Sequence, residues 1–263
     1  MPGYVSLVAE WRALGRRDGF GVREVACVGA TRTLLAAELV RPGAPVVSIS
    51  AGVHGDEPAA PWALLAIVRD GLLDDRFGYR LWPCTNPSGY VLGTRANAEG
   101  DDINRGYSRG GTTPEAKAIV TANRDRRFAL TLDLHEDYEA DGFYCYEPVV
   151  GGTAPLGGAI VTAIDEAGLP VQELETTFDL GYPVEAEHLR GLERGRVLPN
   201  VEAERKYFTG LPFSLYALKR ATRRALTIES PRSLPWDDRI ATHRVAVTAA
   251  LATAGRLVAS DAW

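Results

Sequence analysis

The segment His54-Gly55-Asp56-Glu57 sets an imidazole and a carboxylate three positions apart. If it makes one helical turn, both side chains project to the same side and can share one cation. A catalytic zinc takes three protein ligands and keeps a fourth position open for water. His135 is the obvious third ligand, giving a set of two histidines and one carboxylate. Taken alone, His-x-x-Glu is a common helix start, and a histidine after an apolar strand often only caps a core edge. Gly55 argues against a plain helix start, because glycine costs a helix about 1 kcal/mol relative to alanine.

The elements around these residues decide whether they can meet. Residues 22–28 and 33–40 alternate as early strands, and the β-branched run 45–51 reads as a buried strand. A helix is expected over 58–73, with Pro58 in its first turn. A strand over 79–84 ends at Asn86-Pro87-Ser88-Gly89, a turn signal. Thr113 and Pro114 open another helix as cap and first residue. Then follow a strand at 128–134, helices at 156–167 and 212–221, a strand at 225–228 and a long Ala-rich helix at 238–258. Strands separated by helices predict an α/β fold, a largely parallel sheet with helices on both faces. Such sheets bind ligands at the carboxyl ends of their strands. His54, His135 and Glu229 each fall at such an end; His188 and His243 do not.

Composition narrows the function classes. The chain has 263 residues, 46% hydrophobic and 24% charged, a globular balance. At that length about 70–75% of the unfolded surface is buried without help from a structural metal, so a metal here is expected to be catalytic. A net charge of −5 argues against a nucleic-acid partner. The basic group Lys219, Arg220, Arg223 and Arg224 fits a solvated helix face. Cys27, Cys84 and Cys145 form neither a disulfide framework nor a Cys-x-x-Cys site, which suits a reducing compartment. No signal peptide and no membrane span are read, so a cytoplasmic location is expected.

Five blocks then occur in a telling order: His54-Gly-Asp-Glu57; Asn86-Pro87-Ser88-Gly89; Thr94-Arg95-Ala-Asn97 through Asp102-Ile-Asn104-Arg105; Asp133-Leu134-His135; and Thr227-Ile228-Glu229. Together they resemble the zinc carboxypeptidases of the M14 type, over roughly residues 46–231. The resemblance implies a single three-layer α/β/α domain over 1–263 with a mixed, largely parallel central sheet. It implies one Zn2+ per chain, held by His54, Glu57 and His135, with Asp102 orienting the first histidine. It further implies that Asn104 and Arg105 clamp a free carboxylate, that Arg95 stabilises the oxyanion, and that Glu229 is general base and acid. Tyr207 stands near the place of a mobile tyrosine that closes over substrate in digestive members. Asp101 and Glu136 read as bystanders, Glu136 pointing away from His135.

Asn-Pro-x-Gly followed by Thr-Arg-x-Asn-Ala is similar to the murein-tripeptide amidases, among the small bacterial metallocarboxypeptidases, so the expected substrate is a small peptide. Gly106-Tyr107-Ser108 departs from the family's usual residues after the arginine. The alternative is an N-acyl amino acid deacylase of the aspartoacylase or succinylglutamate desuccinylase type, which shares three of the blocks. The third reading, a non-catalytic ligand-binding homologue, predicts a missing ligand or base, whereas every one is present. Segments 137–147 and 172–213 are expected to supply the pocket walls, and Asp141, Glu173, Glu175 and Asp179 are read as surface acids.

Overall fold

The computed structural model describes residues 3–16, 19–28, 32–108, 110–148, 150–151, 153–174, 188–207 and 210–260. Its core is built on strands β3 (Val46–Ala51), β4 (Gly78–Trp82), β5 (Leu130–Asp137) and β9 (Ala225–Pro231). These four lie side by side and parallel, in the order β4-β3-β5-β9. Their sequences alternate. Leu130, Leu132 and Leu134 of β5 and Leu226 and Ile228 of β9 join one apolar core. Thr131, Asp133 and His135, like Thr227 and Glu229, face the opposite way, as the two-residue period of a strand demands. Each fully buried leucine contributes roughly 1.5–3 kcal/mol, which fixes the face each strand presents and hence the face left for the polar residues.

The sheet is extended at both edges by strands that begin antiparallel to the centre. β1 (Phe20–Val28) and β2 (Arg32–Leu39) flank β4, while β6 (Tyr144–Tyr146), β8 (Arg196–Pro199) and β7 (Leu189–Glu193) continue beyond β9. Among the described residues, β6 and β8 are the one parallel pair of these extensions. The mixed sheet with a parallel centre matches the expected class. Helices α1 (Tyr4–Leu14), α2 (Ala59–Arg69), α5 (Gly157–Glu166) and α8 (Trp236–Ala259) pack into the larger core on one face. α4 (Pro114–Ala122) and α7 (Phe213–Arg220) cover the other, where Trp82, Ile103, Tyr107 and Phe213 form a second core. Among the described residues, no helix is long and apolar enough to cross a membrane.

Several elements differ from expectation for local reasons. α2 ends at Arg69 because Gly71 follows with φ +70°, the left-handed conformation that stops a helix. The Asn86-Pro87 turn instead opens a short helix, α3 (Pro87–Leu92): Asn86 Oδ1 accepts from the Gly89 N–H at 2.8 Å, with Pro87 at the first position. Arg224 is not on a solvated face. It lies beyond the end of α7, is buried, and donates to the Ala154 carbonyl.

Candidate metal centre and substrate cavity

Because β3, β5 and β9 are parallel and adjacent, their carboxyl ends share one edge of the sheet. His54 leaves the end of β3 in a tight turn rather than a helix, closed by the Glu57 N–H on the His54 carbonyl at 3.3 Å. Glu57 is delivered just ahead of α2. Gly55 serves this turn by its lack of a side chain: a Cβ there would stand 1.8 Å from the Gly89 carbonyl carbon. His135 lies within β5 rather than after it, and Glu229 is its register partner on β9. Neighbouring strands run about 4.8 Å apart, so Glu229 stands beside the second histidine on the same face.

One ligand atom from each of His54, Glu57 and His135 lies within 4.8 Å of the other two. All three residues are at most 4% exposed. The imidazole rings meet edge-on, 4.9 Å between centroids. His54 Nδ1 contacts Glu57 Oε1, and His135 Nδ1 is 3.0 Å from Glu57 Oε2. Both Nδ1 atoms thus converge on one carboxylate. Behind the rings, His54 Nε2 is 3.5 Å from Asp102 Oδ1 and His135 Nε2 is 3.2 Å from Asp133 Oδ2. Asp133 has no role implied by the sequence motif, and its partnership with His135 needs only the two-residue spacing of one strand face.

The electrostatics fit a cation. Burial by itself would raise the Glu57 pKa, yet the His54 and His135 rings outweigh it and hold the carboxyl well below the usual range. Burial would likewise lower His135, but the carboxylates of Glu57, Asp133 and Glu229 raise it well above its ordinary value. Glu229 is the reverse case: burial pushes its carboxyl up to about 8, opposed by His135 and reinforced by Glu57. Two imidazole nitrogens and one carboxylate oxygen, buried and converging, are a donor set suited to zinc with an open position.

The site opens into a cavity of 710 Å³. Arg95 is on its wall, with Nε and Nη2 3.2 and 3.0 Å from Asp102 Oδ2 and Nη1 3.3 Å from His54 Nδ1. Asn104 and Arg105 follow on a single 3-10 turn capped by Asp102, whose Oδ1 accepts from the Asn104 N–H at 2.8 Å. Asn104 Oδ1 accepts from the Phe213 N–H at 3.0 Å, which leaves its NH2 group to donate. Gly210 lets the chain pass close to this turn, since a Cβ there would lie 1.7 Å from the Arg105 carbonyl oxygen. Tyr138, Tyr144 and Tyr146 of segment 137–147 form another wall, with Pro199 and Pro212 from the second expected segment.

Other expected residues fall elsewhere. Tyr207 ends α6 (Val201–Tyr207), and its side chain lies outside the described residues, as do Glu175 and Asp179. Asp141 and Glu173 are exposed, Glu173 pairing with Arg194 at 2.7 Å. Glu136 does point away from His135, but it is no bystander to the fold. It accepts from the Ala59 N–H at 2.8 Å and pairs with Arg239 at 2.5 Å, tying α8 to the start of α2 just after Glu57. Asp56 lines the cavity, where Oδ2 accepts from the Tyr138 hydroxyl at 3.3 Å.

This sheet, with a His-Glu-His group at its carboxyl edge, defines a protein of metallocarboxypeptidase fold. The resemblance read in the sequence is borne out by known proteins. Over 81 residues the chain is 40% identical to murein peptide amidase A of Escherichia coli K12, a match covering 29% of this chain and 33% of that protein. The chain thus spans about a third of the curated relatives it matches. A Shewanella amazonensis structure assigned as a metallopeptidase superposes with a TM-score of 0.73 at 23% identity, covering 95% of this chain and 91% of that one. A metallo-carboxypeptidase from Burkholderia cenocepacia gives 0.68 at 20% identity, covering 95% and 69%. Carboxypeptidase A from Helicoverpa armigera gives 0.70 at 16%, covering 99% and 75%. At such identities the likeness is one of fold. No protein-family profile matches the chain.

Proposed function

We propose that this protein is a zinc-dependent hydrolase that cleaves an amide bond next to a free carboxylate in small peptides, murein peptides among them. One observation carries the reading: His54, Glu57 and His135 converge in a cavity that also holds Glu229, Arg95, Asn104 and Arg105. The relationship to murein peptide amidase A favours a peptide over an N-acyl amino acid. The continuous sheet from β1 to β7 supports one domain, and the three unpaired cysteines agree with a reducing, cytoplasmic setting.

Zinc in such a site supplies a water acidified towards pKa ~7 and a positive charge for the carbonyl oxygen. Glu229 accepts the proton of the attacking water as the new C–O bond forms. It returns that proton to the nitrogen as the C–N bond breaks. Burial pushes the Glu229 carboxyl up to about 8, and a zinc ion beside it would favour the carboxylate that the first transfer needs. Arg95, half exposed and hinged on Asp102, donates to the carbonyl oxygen as it gains charge. The Asn104 NH2 group and the Arg105 guanidinium hold the terminal carboxylate, so the scissile carbonyl arrives in register.

Replacing Arg105 by Ala is expected to raise KM for substrates with a free terminal carboxylate by about 10–100-fold, the worth of roughly 1.5–3 kcal/mol for a charged hydrogen bond. A steady-state comparison with the corresponding terminal amides checks this; an unchanged KM removes Arg105 from the clamp. Screening dipeptides and murein peptides beside acetyl- and succinyl-amino acids separates peptidase from deacylase.

Metal affinity is expected to rise with pH. His135 carries a raised pKa in the metal-free protein, and a metal must expel its proton. Below that raised value each proton released strengthens binding about tenfold per pH unit. Chelator competition between pH 6 and 8 reads the slope, and a flat profile contradicts the expectation.

A further inference from the structure

We propose that Asp133 and Ser50 form a buried relay that fixes the orientation and tautomer of His135, making both of them positioning residues for the metal centre. The proposal rests on the reading of His54, Glu57 and His135 as metal ligands and extends it by one layer.

The relay follows from strand register. Ser50 on β3 is the Cα partner of Asp133 on β5, so the two side chains stand together on one face of the sheet. Ser50 Oγ donates to Asp133 Oδ1 at 2.6 Å. Two residues further along β5, on the same face, His135 Nε2 lies 3.2 Å from Asp133 Oδ2. Each carboxylate oxygen therefore has one partner. Ser50, Asp133 and His135 are all at most 2% exposed. A carboxylate this deeply buried is tolerable only when its oxygens are satisfied. With the Nε2 proton committed to Asp133, Nδ1, 3.0 Å from Glu57, is the nitrogen whose lone pair would be available to a metal once its own proton is displaced. His54 is arranged the same way, with Asp102 behind Nε2. The difference lies in rigidity. The carboxylate behind His54 is 28% exposed and shared with Arg95, whereas the one behind His135 is sealed between two strands and locked by a serine.

A carboxylate behind a metal-bound imidazole sets the ring's tautomer and raises its basicity, and losing it typically weakens metal binding by roughly 10–100-fold. The test uses the full-length protein and two variants, Asp133→Asn and Ser50→Ala. Zinc dissociation constants are measured by chelator competition, and the visible spectrum is recorded for the cobalt(II)-loaded forms. The metal-free melting temperature reports folding separately. The expected result is zinc binding about 10–100-fold weaker in Asp133→Asn, a smaller loss in Ser50→Ala, and altered cobalt bands in both. If the wild type binds zinc and both variants match it in affinity and spectrum, the relay is overturned while the metal site stands. If the wild type binds no zinc, the metal reading fails and the relay falls with it. Should Asp133→Asn not fold, Ser50→Ala decides: it leaves the carboxylate in place, so unchanged affinity and bands overturn the proposal.

Discussion

Replacing Glu229 by Gln lowers kcat by about 10²–10⁴-fold, the span usual for a lost general acid–base group, while zinc content stays at the wild-type level. The substitution keeps shape and hydrogen-bonding capacity but removes the group proposed to accept the water's proton. Glu229 is the register partner of His135, not a member of the converging ligand set, so its loss leaves His54, Glu57 and His135 in place. Because burial pushes its carboxyl up to about 8, an amide that carries no charge sits in the same surroundings without added desolvation cost. Rate and metal content measured on the same preparation check the prediction. A variant with wild-type kcat removes Glu229 from the chemistry, and a variant that loses zinc makes it a ligand.

Stripping the metal with 1,10-phenanthroline takes hydrolysis down to the uncatalysed background, and one equivalent of zinc restores it. The reason is the size of the effect assigned to the metal: water near pKa 15.7 is almost without hydroxide at neutral pH, whereas zinc brings it towards ~7. No group in the cavity replaces that. Glu229 on its own would be a weak base facing an unactivated water, and Arg95 in its proposed role would supply charge to the carbonyl oxygen but no nucleophile. His135→Ala behaves like the stripped protein and does not recover when zinc is returned, because two donors remain of three. Full activity in the presence of chelator, or full recovery of His135→Ala, contradicts this assignment.

Much of this arrangement was legible in the sequence because the relevant periods are short. That His54, His135 and Glu229 stand towards the carboxyl ends of three strands follows from alternation and length, although β5 and β9 run on two residues past His135 and Glu229, and the parallel centre of the sheet then brings them to one edge. The polar alternation of Thr131, Asp133 and His135 was equally visible, but what Asp133 does depends on Ser50 arriving from another strand, which no spacing within β5 reveals. Gly55 reads as a helix misfit from local propensity, but its constraint is the carbonyl of Gly89, distant in sequence. At Asn86-Pro87, turn and helix cap share the same residues, so the signal was real and its outcome open. α1 buries Tyr4, Leu7, Trp11 and Leu14 at helical spacing, a pattern present in the sequence but not among the elements expected from it. Strands β6, β7 and β8, with three to five residues each, are too short to carry a period and are defined by the neighbours they pair with. Arg224 follows Lys219, Arg220 and Arg223 in a basic run that suits a solvated face, but it is buried and donates to the Ala154 carbonyl, a partner distant in sequence.

The most direct measurement is metal stoichiometry on protein dialysed against zinc and then against metal-free buffer, read by inductively coupled plasma mass spectrometry. The predicted result is one zinc per chain in the wild type and a large loss in His54→Ala and in His135→Ala. A wild type that retains no zinc, or a His54→Ala, His135→Ala double variant that keeps a full equivalent, contradicts it.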